Sequence, residues 1–206
     1  MSTRLLLASD NAKKRAELQG LLGHLSLDLV SPRDIGGLAA VVEDCATFAG
    51  NAAKKARAAA LATGLWCLAD DSGLEVEALG GAPGVHSARY AGKHGDDAAN
   101  NAKLLEQLRD LAPARRGARF VCALALARPD GSLALEVEGT AGGQILESPR
   151  GTRDFGYDPL FLFTETGWSE TGRGFAELAP AEKARVSHRG RAMRALLEHL
   201  PAPLRD

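Results

Sequence analysis

Short apolar runs alternate with amphipathic or alanine-rich segments in the first part of the chain. The apolar runs predict β-strands at residues 4–8, 27–30 and 65–69. The segments between them predict helices at residues 12–22 and about 48–62. Ser9 or Asn11 suits the N-cap of the first helix, and Thr47 suits that of the second, which Gly64 ends. This order is typical of a fold that interleaves strands and helices.

The remaining pattern adds an antiparallel element. Residues 74–79 alternate apolar and acidic positions, which favours a half-exposed strand or a short helix. Further strands are predicted at residues 119–127, 133–139, 142–147 and 159–163, and helices at about 97–111 and 180–200. The sequence RPDGS between the first two of these strands is a hairpin signal. We therefore predict a mixed-sheet α/β fold, and the 206 residues suffice for one large domain or for two closely joined lobes.

Composition and charge exclude several classes of protein. The formal net charge is −1, so no general basic field favours a nucleic acid partner. There is no run of about 18 apolar residues for a membrane span and no pattern typical of an export signal. The three cysteines have no metal-binding spacing and indicate reduced thiols, as in a cytoplasmic protein.

The sequence DDSG at residues 70–73 is the sharpest chemical signal. It follows a predicted buried strand, and ligands of α/β sheets usually bind beyond strand ends. Adjacent carboxylates favour a bound cation, and Mg²⁺ commonly takes one or two carboxylates together with phosphate oxygens. Because Asp, Ser and Gly are also ordinary turn formers, a solvated turn is an equally good interpretation.

Cationic residues recur in the predicted helices, at the start of two of them and inside the alanine-rich one. Lys13 and Lys14 stand where the positive end of a helix dipole disfavours cations, which indicates that an anion binds there. Lys55 and Lys183 are in two further basic clusters, and together these clusters suit a triphosphate. Each cluster alone is more typical of a solvated helix face.

Two other segments have candidate chemistry. DFGYDP at residues 154–159 places aromatic rings in a loop, where one ring can stack on a nucleobase or belong to the edge of the core. Glu43 precedes the second helix and is either a dipole-complementing acid or a metal ligand. The patterns GxxxxGK[ST], GxGxxG and GxSxG and a zinc-ligand spacing are absent from the sequence, which argues against the corresponding enzyme classes.

Read together, five stretches resemble the inosine/xanthosine triphosphate pyrophosphatase family. They are LASDNAKKRAEL, ATFAGNAAKKA, LADDSGLEVEALGGAPGVHSARYAG, GYDPLF and EKARVSHRGRA. The resemblance implies Mg²⁺-dependent hydrolysis of non-standard purine nucleoside triphosphates (ITP, dITP and XTP) to the monophosphate and pyrophosphate. It also implies an elongated mixed sheet with flanking helices, two lobes around a central cleft, and a homodimer.

The resemblance also implies roles for particular residues. Asp71 matches the general base, and Glu43 with Asp71 would hold the metal. The substrate-binding residues that it implies are Ser9, Asp10, Asn11, Ala12, Lys13, Lys14, Lys55, Ser72, Phe155, Gly156, Tyr157, Asp158, Lys183, His188 and Arg189. Among these, Phe155 would stack on the base, whereas His188 and Arg189 would contact phosphate or base.

The chain also departs from the family pattern. Asp10 and Cys45 replace glycines, Gly50 replaces a glutamate, and Arg153-Asp154 replaces a glycine-rich pair. A Maf-like pyrophosphatase, which acts on modified pyrimidine nucleotides, is the nearest rival, but its Ser-Pro-Arg-Arg type of turn is missing. A nucleotide-binding or RNA-binding module without catalysis is the rival from another class.

Overall fold

The structure, a computed structural model, describes residues 3–9, 11–152 and 156–205, with the backbone but not the side chains of Ala12 and Lys13. The strands in this part of the chain are β1 (Arg4–Leu7), β2 (Asp28–Val30), β3 (Trp66–Val76), β4 (Gly117–Ala127), β5 (Leu133–Ile145) and β6 (Phe161–Phe163). The α-helices are α1 (Ala12–Leu22), α2 (Phe48–Thr63), α3 (Asp97–Gln107), α4 (Pro180–Val186) and α5 (His188–Glu198).

The six strands form one sheet in the order β2-β1-β3-β4-β5-β6. β1 is parallel to both β2 and β3, with Leu5 opposite Leu29 on one side and Trp66 on the other. β5 and β6 are antiparallel. The predicted mixed α/β fold is therefore confirmed. None of the described helices is long and apolar enough to cross a membrane.

The chain folds into two compact units. The first unit comprises Met1–Asp71, Cys122–Gly139 and Ala192–Asp206, and the second comprises Ser72–Val121 and Thr140–Arg191. Leucines of β1, α1, β3, β4 and α5 fill the core of the first unit, including Leu5, Leu18, Leu68, Leu124 and Leu196. An aromatic cluster of Phe120, Phe161, Phe163 and Phe175 lies in the core of the second unit.

Local capping signals explain the first two helices. The Asn11 side-chain oxygen accepts from the Lys14 backbone N–H at 3.1 Å, so Asn11 rather than Ser9 caps α1. The Thr47 hydroxyl accepts from Gly50 N–H at 3.1 Å and caps α2. Gly64, with φ of +66°, ends that helix.

Two predicted breaks in strands are wrong. β3 runs without interruption through residues 70–73, where a turn was one interpretation, because tertiary partners of the two aspartates outweigh their turn preference. β5 continues through Gly142 and Gly143, at a predicted strand boundary. A Cβ atom on Gly143 would lie 2.2 Å from the Leu162 carbonyl oxygen, so the glycine allows β6 to approach closely.

The predicted last helix is in fact two helices, α4 and α5, separated at Ser187. Ser187 has an extended backbone (φ −71°, ψ 154°), and its hydroxyl accepts from Gly190 N–H at 3.1 Å as the N-cap of α5. A Cβ atom on Gly190 would lie 1.8 Å from the Ala184 carbonyl oxygen. The bare glycine therefore lets the first turn of α5 pack directly on α4. Two further differences concern element ends: α3 ends at Gln107 rather than near residue 111, and β6 begins at Phe161 rather than at residue 159.

Candidate functional site

Lys14 and Asp70 form a buried ion pair in the first unit. The Lys14 Nζ lies 2.9 Å from Asp70 Oδ2, and the Asp70 side chain is only 1% exposed. The cap at Asn11 sets the start of α1 and thus the place of Lys14 in its first turn. The nearby Ser9 carbonyl accepts from the Arg15 guanidinium at 2.6 Å. The strand–turn–helix predicted to bind phosphate therefore presents an ammonium that a buried carboxylate holds in place.

A second cluster, which we call the Asp71 cluster, consists of Glu43, Asn51, Lys55 and Asp71. The Lys55 Nζ lies 2.8 Å from Glu43 Oε1 and 3.2 Å from Asp71 Oδ1. The Asn51 side-chain amide donates to Asp71 Oδ2 at 3.1 Å. Asn51 and Lys55 are four residues apart on α2 and thus share one face of that helix.

Charge and burial act in opposite directions on the Asp71 cluster. Burial raises the pKa of Asp71 and the Glu43 carboxylate adds to the rise, although Lys55, Lys14 and the Asn51 amide partly offset it. Burial alone would lower the pKa of Lys55, but the carboxylates of Asp71, Asp70 and Glu43 together raise it. Asp71 is therefore a stronger base than an ordinary aspartate, and Lys55 stays protonated.

Asp70 and Asp71, which are adjacent in the sequence, form their ion pairs with different lysines. Both lie within β3, where successive side chains point to opposite faces of the sheet. Accordingly, Asp70 contacts Lys14 of α1, whereas Asp71 contacts Lys55 of α2. Asp70 therefore holds Lys14 in place, whereas Asp71 shares the Lys55 ammonium with Glu43.

In the second unit, the corner between α4 and α5 presents three of the predicted residues. Lys183 forms an ion pair with Asp158. The His188 ring stacks on Phe120, with ring centroids 4.6 Å apart and planes 11° apart. The Arg189 guanidinium donates to the Ser72 hydroxyl at 3.1 Å. The break at Ser187 thus places Lys183 at the end of one helix and His188 and Arg189 at the start of the next.

The loop predicted to stack on a base is anchored to α3. Gly156 N–H donates to the Asp97 carboxylate at 2.9 Å, and the Asn101 amide donates to the Gly156 carbonyl at 2.9 Å. Tyr157 is buried in the core of the second unit, where its hydroxyl donates to the Ser87 carbonyl at 2.9 Å. Its ring thus belongs to the core, the other interpretation of an aromatic residue in this loop.

Some predicted residues lie outside the described part of the chain. These are Asp10, Arg153, Asp154 and Phe155, together with the side chains of Ala12 and Lys13. The roles implied for them, including base stacking by Phe155, stay predictions.

Sequence reasoning missed Asn51, although a signal for it existed. The side chain is 1% exposed, and its amide oxygen accepts from Cys45 N–H at 3.0 Å. Asn51 therefore ties the segment that contains Glu43 to Asp71. The signal is the position of Asn51 one helical turn before Lys55, which places both side chains on the same face of the predicted helix.

Cys45 and Gly50 are packed against each other. A Cβ atom on Gly50 would lie 2.9 Å from the Cβ of Cys45 and 3.3 Å from its sulfur. The Cys45 side chain thus occupies space that a larger residue 50 would need.

The donor set of the Asp71 cluster fits one kind of metal site. Within the described residues, no group of three or more His, Cys, Asp and Glu side chains is placed to hold a metal ion. Glu43 and Asp71, however, already share one cation, the Lys55 ammonium. Two carboxylates suit Mg²⁺ when phosphate oxygens complete its ligands. The pair therefore fits a metal that binds together with a nucleotide.

The sequence closely matches known proteins along almost its whole length. The sequence model of the Ham1 family matches residues 5–199. A dITP/XTP pyrophosphatase of Nocardia farcinica is 52% identical over 202 residues, which cover 97% of this chain and 95% of that protein. A dITP/XTP pyrophosphatase of Corynebacterium efficiens is 50% identical over 198 residues, which cover 94% of this chain and 95% of that protein.

Solved structures agree with the sequence matches. A nucleoside-triphosphatase, or dITP/XTP pyrophosphatase, from Mycobacterium abscessus has a TM-score of 0.76 at 50% identity, covering 95% of this chain and 99% of that chain. A HAM1 protein from Coxiella burnetii has a TM-score of 0.83 at 41% identity, covering 94% and 96% of the two chains. The similarity therefore extends over nearly the whole of both chains.

Proposed function

Because this chain belongs to the Ham1 family, we propose that it hydrolyses non-standard purine nucleoside triphosphates. The substrates are ITP, dITP and XTP, and the products are the nucleoside monophosphate and pyrophosphate. The curated relatives named dITP/XTP pyrophosphatase support this reaction. The observation that carries the proposal is the Asp71 carboxylate, whose pKa is raised by burial and whose Oδ1 contacts the Lys55 ammonium that also contacts Glu43.

In this reaction Asp71 is the general base. It accepts a proton from the attacking water or orients that water, and the raised pKa increases its basicity. The Asn51 amide fixes the carboxylate by holding Oδ2. Lys14 and Lys55 bind phosphate oxygens and stabilise negative charge on the pyrophosphate leaving group.

We assign a Mg²⁺ ion to Glu43 and Asp71, with the nucleotide supplying further oxygen ligands. The ion would neutralise the negative charge of the phosphates and polarise the bond that breaks. The protein's own contribution is to keep the two carboxylates together and to limit their contact with water.

Base recognition is assigned to the second unit. Hypoxanthine and xanthine have an oxygen acceptor at position 6, where adenine has an amino donor. A site with donors at this position leaves them unpaired when ATP binds, and such losses can discriminate by about 10⁴. His188 and Arg189 are the proposed donors, since Phe120 and Ser72 hold them in fixed orientations. Lys183, which Asp158 holds, contributes positive charge to nucleotide binding.

We also propose that the protein acts in the cytoplasm as a homodimer. The three free cysteines and the substrate class support the location. The family resemblance supports the dimer, which sedimentation analysis of the purified protein tests directly.

Product analysis with a nucleotide panel tests the proposed reaction. We expect IMP and pyrophosphate from ITP, with similar products from dITP and XTP and much slower turnover of ATP. Chelation should abolish the activity, and added Mg²⁺ should restore it. Formation of IDP and inorganic phosphate contradicts the proposed bond cleavage. Preference for modified pyrimidine nucleotides favours the Maf-like alternative, and binding of ITP without hydrolysis favours a non-catalytic module.

A further inference from the structure

Lys55 occupies the position between the two carboxylates proposed to bind metal. Its Nζ contacts Glu43 Oε1 and Asp71 Oδ1, and the lysine side chain is only 17% exposed. The three charged groups come from three segments of the chain: Glu43 precedes α2, Lys55 lies within α2, and Asp71 lies in β3. The ammonium therefore neutralises a pair of carboxylates that would otherwise repel each other.

A divalent cation cannot share that position with the ammonium. If a metal ion bound the same two oxygens, the Lys55 charge would lie within a few ångströms of it and oppose binding. A lysine side chain, by contrast, has four rotatable bonds and can move its charge to another anion. We propose that Lys55 is a resident counter-cation, which the metal displaces when the nucleotide arrives. This inference rests on the proposed function, because it presumes a metal at Glu43 and Asp71.

The exchange has a consequence for the order of binding. Without a nucleotide, a metal ion must expel Lys55 into water, so the affinity for metal is low. A triphosphate gives the displaced ammonium a new anionic partner and gives the metal further oxygen ligands. Metal and nucleotide therefore bind cooperatively, and Lys55 couples the two events.

The neighbouring Lys54 provides a matched control. Its Nζ contacts Asp44 Oδ1 at 2.6 Å, but both side chains are well exposed, at 39% and 62%. The pair does not include Glu43 or Asp71. Replacing Lys54 therefore removes the same charge from the same helix without freeing the carboxylates of the Asp71 cluster.

The experiment measures Mn²⁺ binding without nucleotide, by the electron paramagnetic resonance signal of the free ion. Wild type, Lys55→Met and Lys54→Met are compared at equal ionic strength. We expect Lys55→Met to bind Mn²⁺ about tenfold or more tightly than wild type, since one charge within about 4–6 Å changes the proton affinity of a carboxylate by a similar factor. Lys54→Met should match wild type. In EDTA, Lys55→Met should have a lower melting temperature than wild type, and Mn²⁺ should raise it more.

Equal or weaker Mn²⁺ binding by Lys55→Met overturns the exchange, even if wild type binds Mn²⁺ and hydrolyses ITP normally. If none of the proteins binds Mn²⁺ with or without ITP, the metal assignment fails as well. Should Lys55→Met not fold, the ammonium NMR signal of Lys55 in wild type provides the test, with Lys55→Arg for its assignment. Saturating Mg²⁺ with nucleotide should shift this signal, and an unchanged signal overturns the proposal.

Discussion

Gly190 is the residue whose replacement should most directly disturb the corner between α4 and α5. In Gly190→Ala the new Cβ would start 1.8 Å from the Ala184 carbonyl oxygen. Reaching an ordinary contact distance requires a movement of about 1.5 Å or more. The obstacle is backbone rather than a flexible side chain, so α5 must tilt away from α4 or lose its cap at Ser187.

The cost follows from these two losses. Overpacking typically costs about 1–3 kcal/mol, and loss of a serine N-cap costs about 1 kcal/mol. The higher helix propensity of alanine offsets about 1 kcal/mol. We therefore expect Gly190→Ala to lower the free energy of unfolding by about 1–3 kcal/mol. Because His188 and Arg189 lie in the same turn, ITP hydrolysis by the folded variant should also fall.

Urea denaturation followed by circular dichroism measures the change, and Gly20→Ala is its control. Gly20 lies in α1 and is exposed, and a Cβ atom added to it would have no neighbouring atom within 4 Å. That substitution should stabilise the protein by up to about 1 kcal/mol. If both variants are equally stable, or if Gly190→Ala is more stable than wild type, the inferred contact with Ala184 is wrong.

Further predictions address the site and its charges. Asp71→Asn should lower turnover by roughly 10² or more, and near-normal kcat would remove Asp71 as the base. Asn51→Leu keeps the volume but loses both hydrogen bonds, so kcat should fall more than KM rises; an effect on stability alone would contradict a positioning role. Arg189→Ala should reduce the ratio of kcat/KM for ITP to that for ATP, whereas equal losses would indicate phosphate binding. Arg173 and the Ala179 N–H lower the pKa of Glu182 from 4.5 to about 2. Ionised Glu182 therefore stabilises the folded protein fully at pH values above its pKa in the unfolded chain. The stability difference between wild type and Glu182→Gln should therefore shrink as pH falls from about 5 to 2, and a constant difference would contradict the assignment.

Much of the fold could be predicted because its signals are local. The caps at Asn11 and Thr47 and the terminator at Gly64 depend on neighbouring residues alone. The family resemblance drawn from the five quoted stretches is also confirmed by the match to the Ham1 family. The strand through residues 70–73 could not be predicted in this way, because the cations that hold Asp70 and Asp71 lie on distant helices.

The sequence predicted which types of residue form the site, but not which of them form ion pairs with each other. Sequence patterns indicated lysines and carboxylates, whereas the structure pairs Lys14 with Asp70 and Lys55 with both Glu43 and Asp71. Such pairing depends on side-chain direction in three dimensions. The break between α4 and α5 could be predicted only in part. The serine cap is a local sequence signal, but the close approach of Gly190 to Ala184 is not.

Because Asp70 and Asp71 are consecutive residues of β3, the number of residues in that strand determines which lysine each of them contacts. Which carboxylate faces α1 and which faces α2 depends only on whether the residue count along β3 is odd or even. Inserting or deleting one residue before Asp70 would exchange the two acids, leaving each opposite the other's lysine. Point substitutions elsewhere in the strand keep the count unchanged. In descendants of this gene, we therefore expect substitutions in this segment to be tolerated far more readily than insertions or deletions.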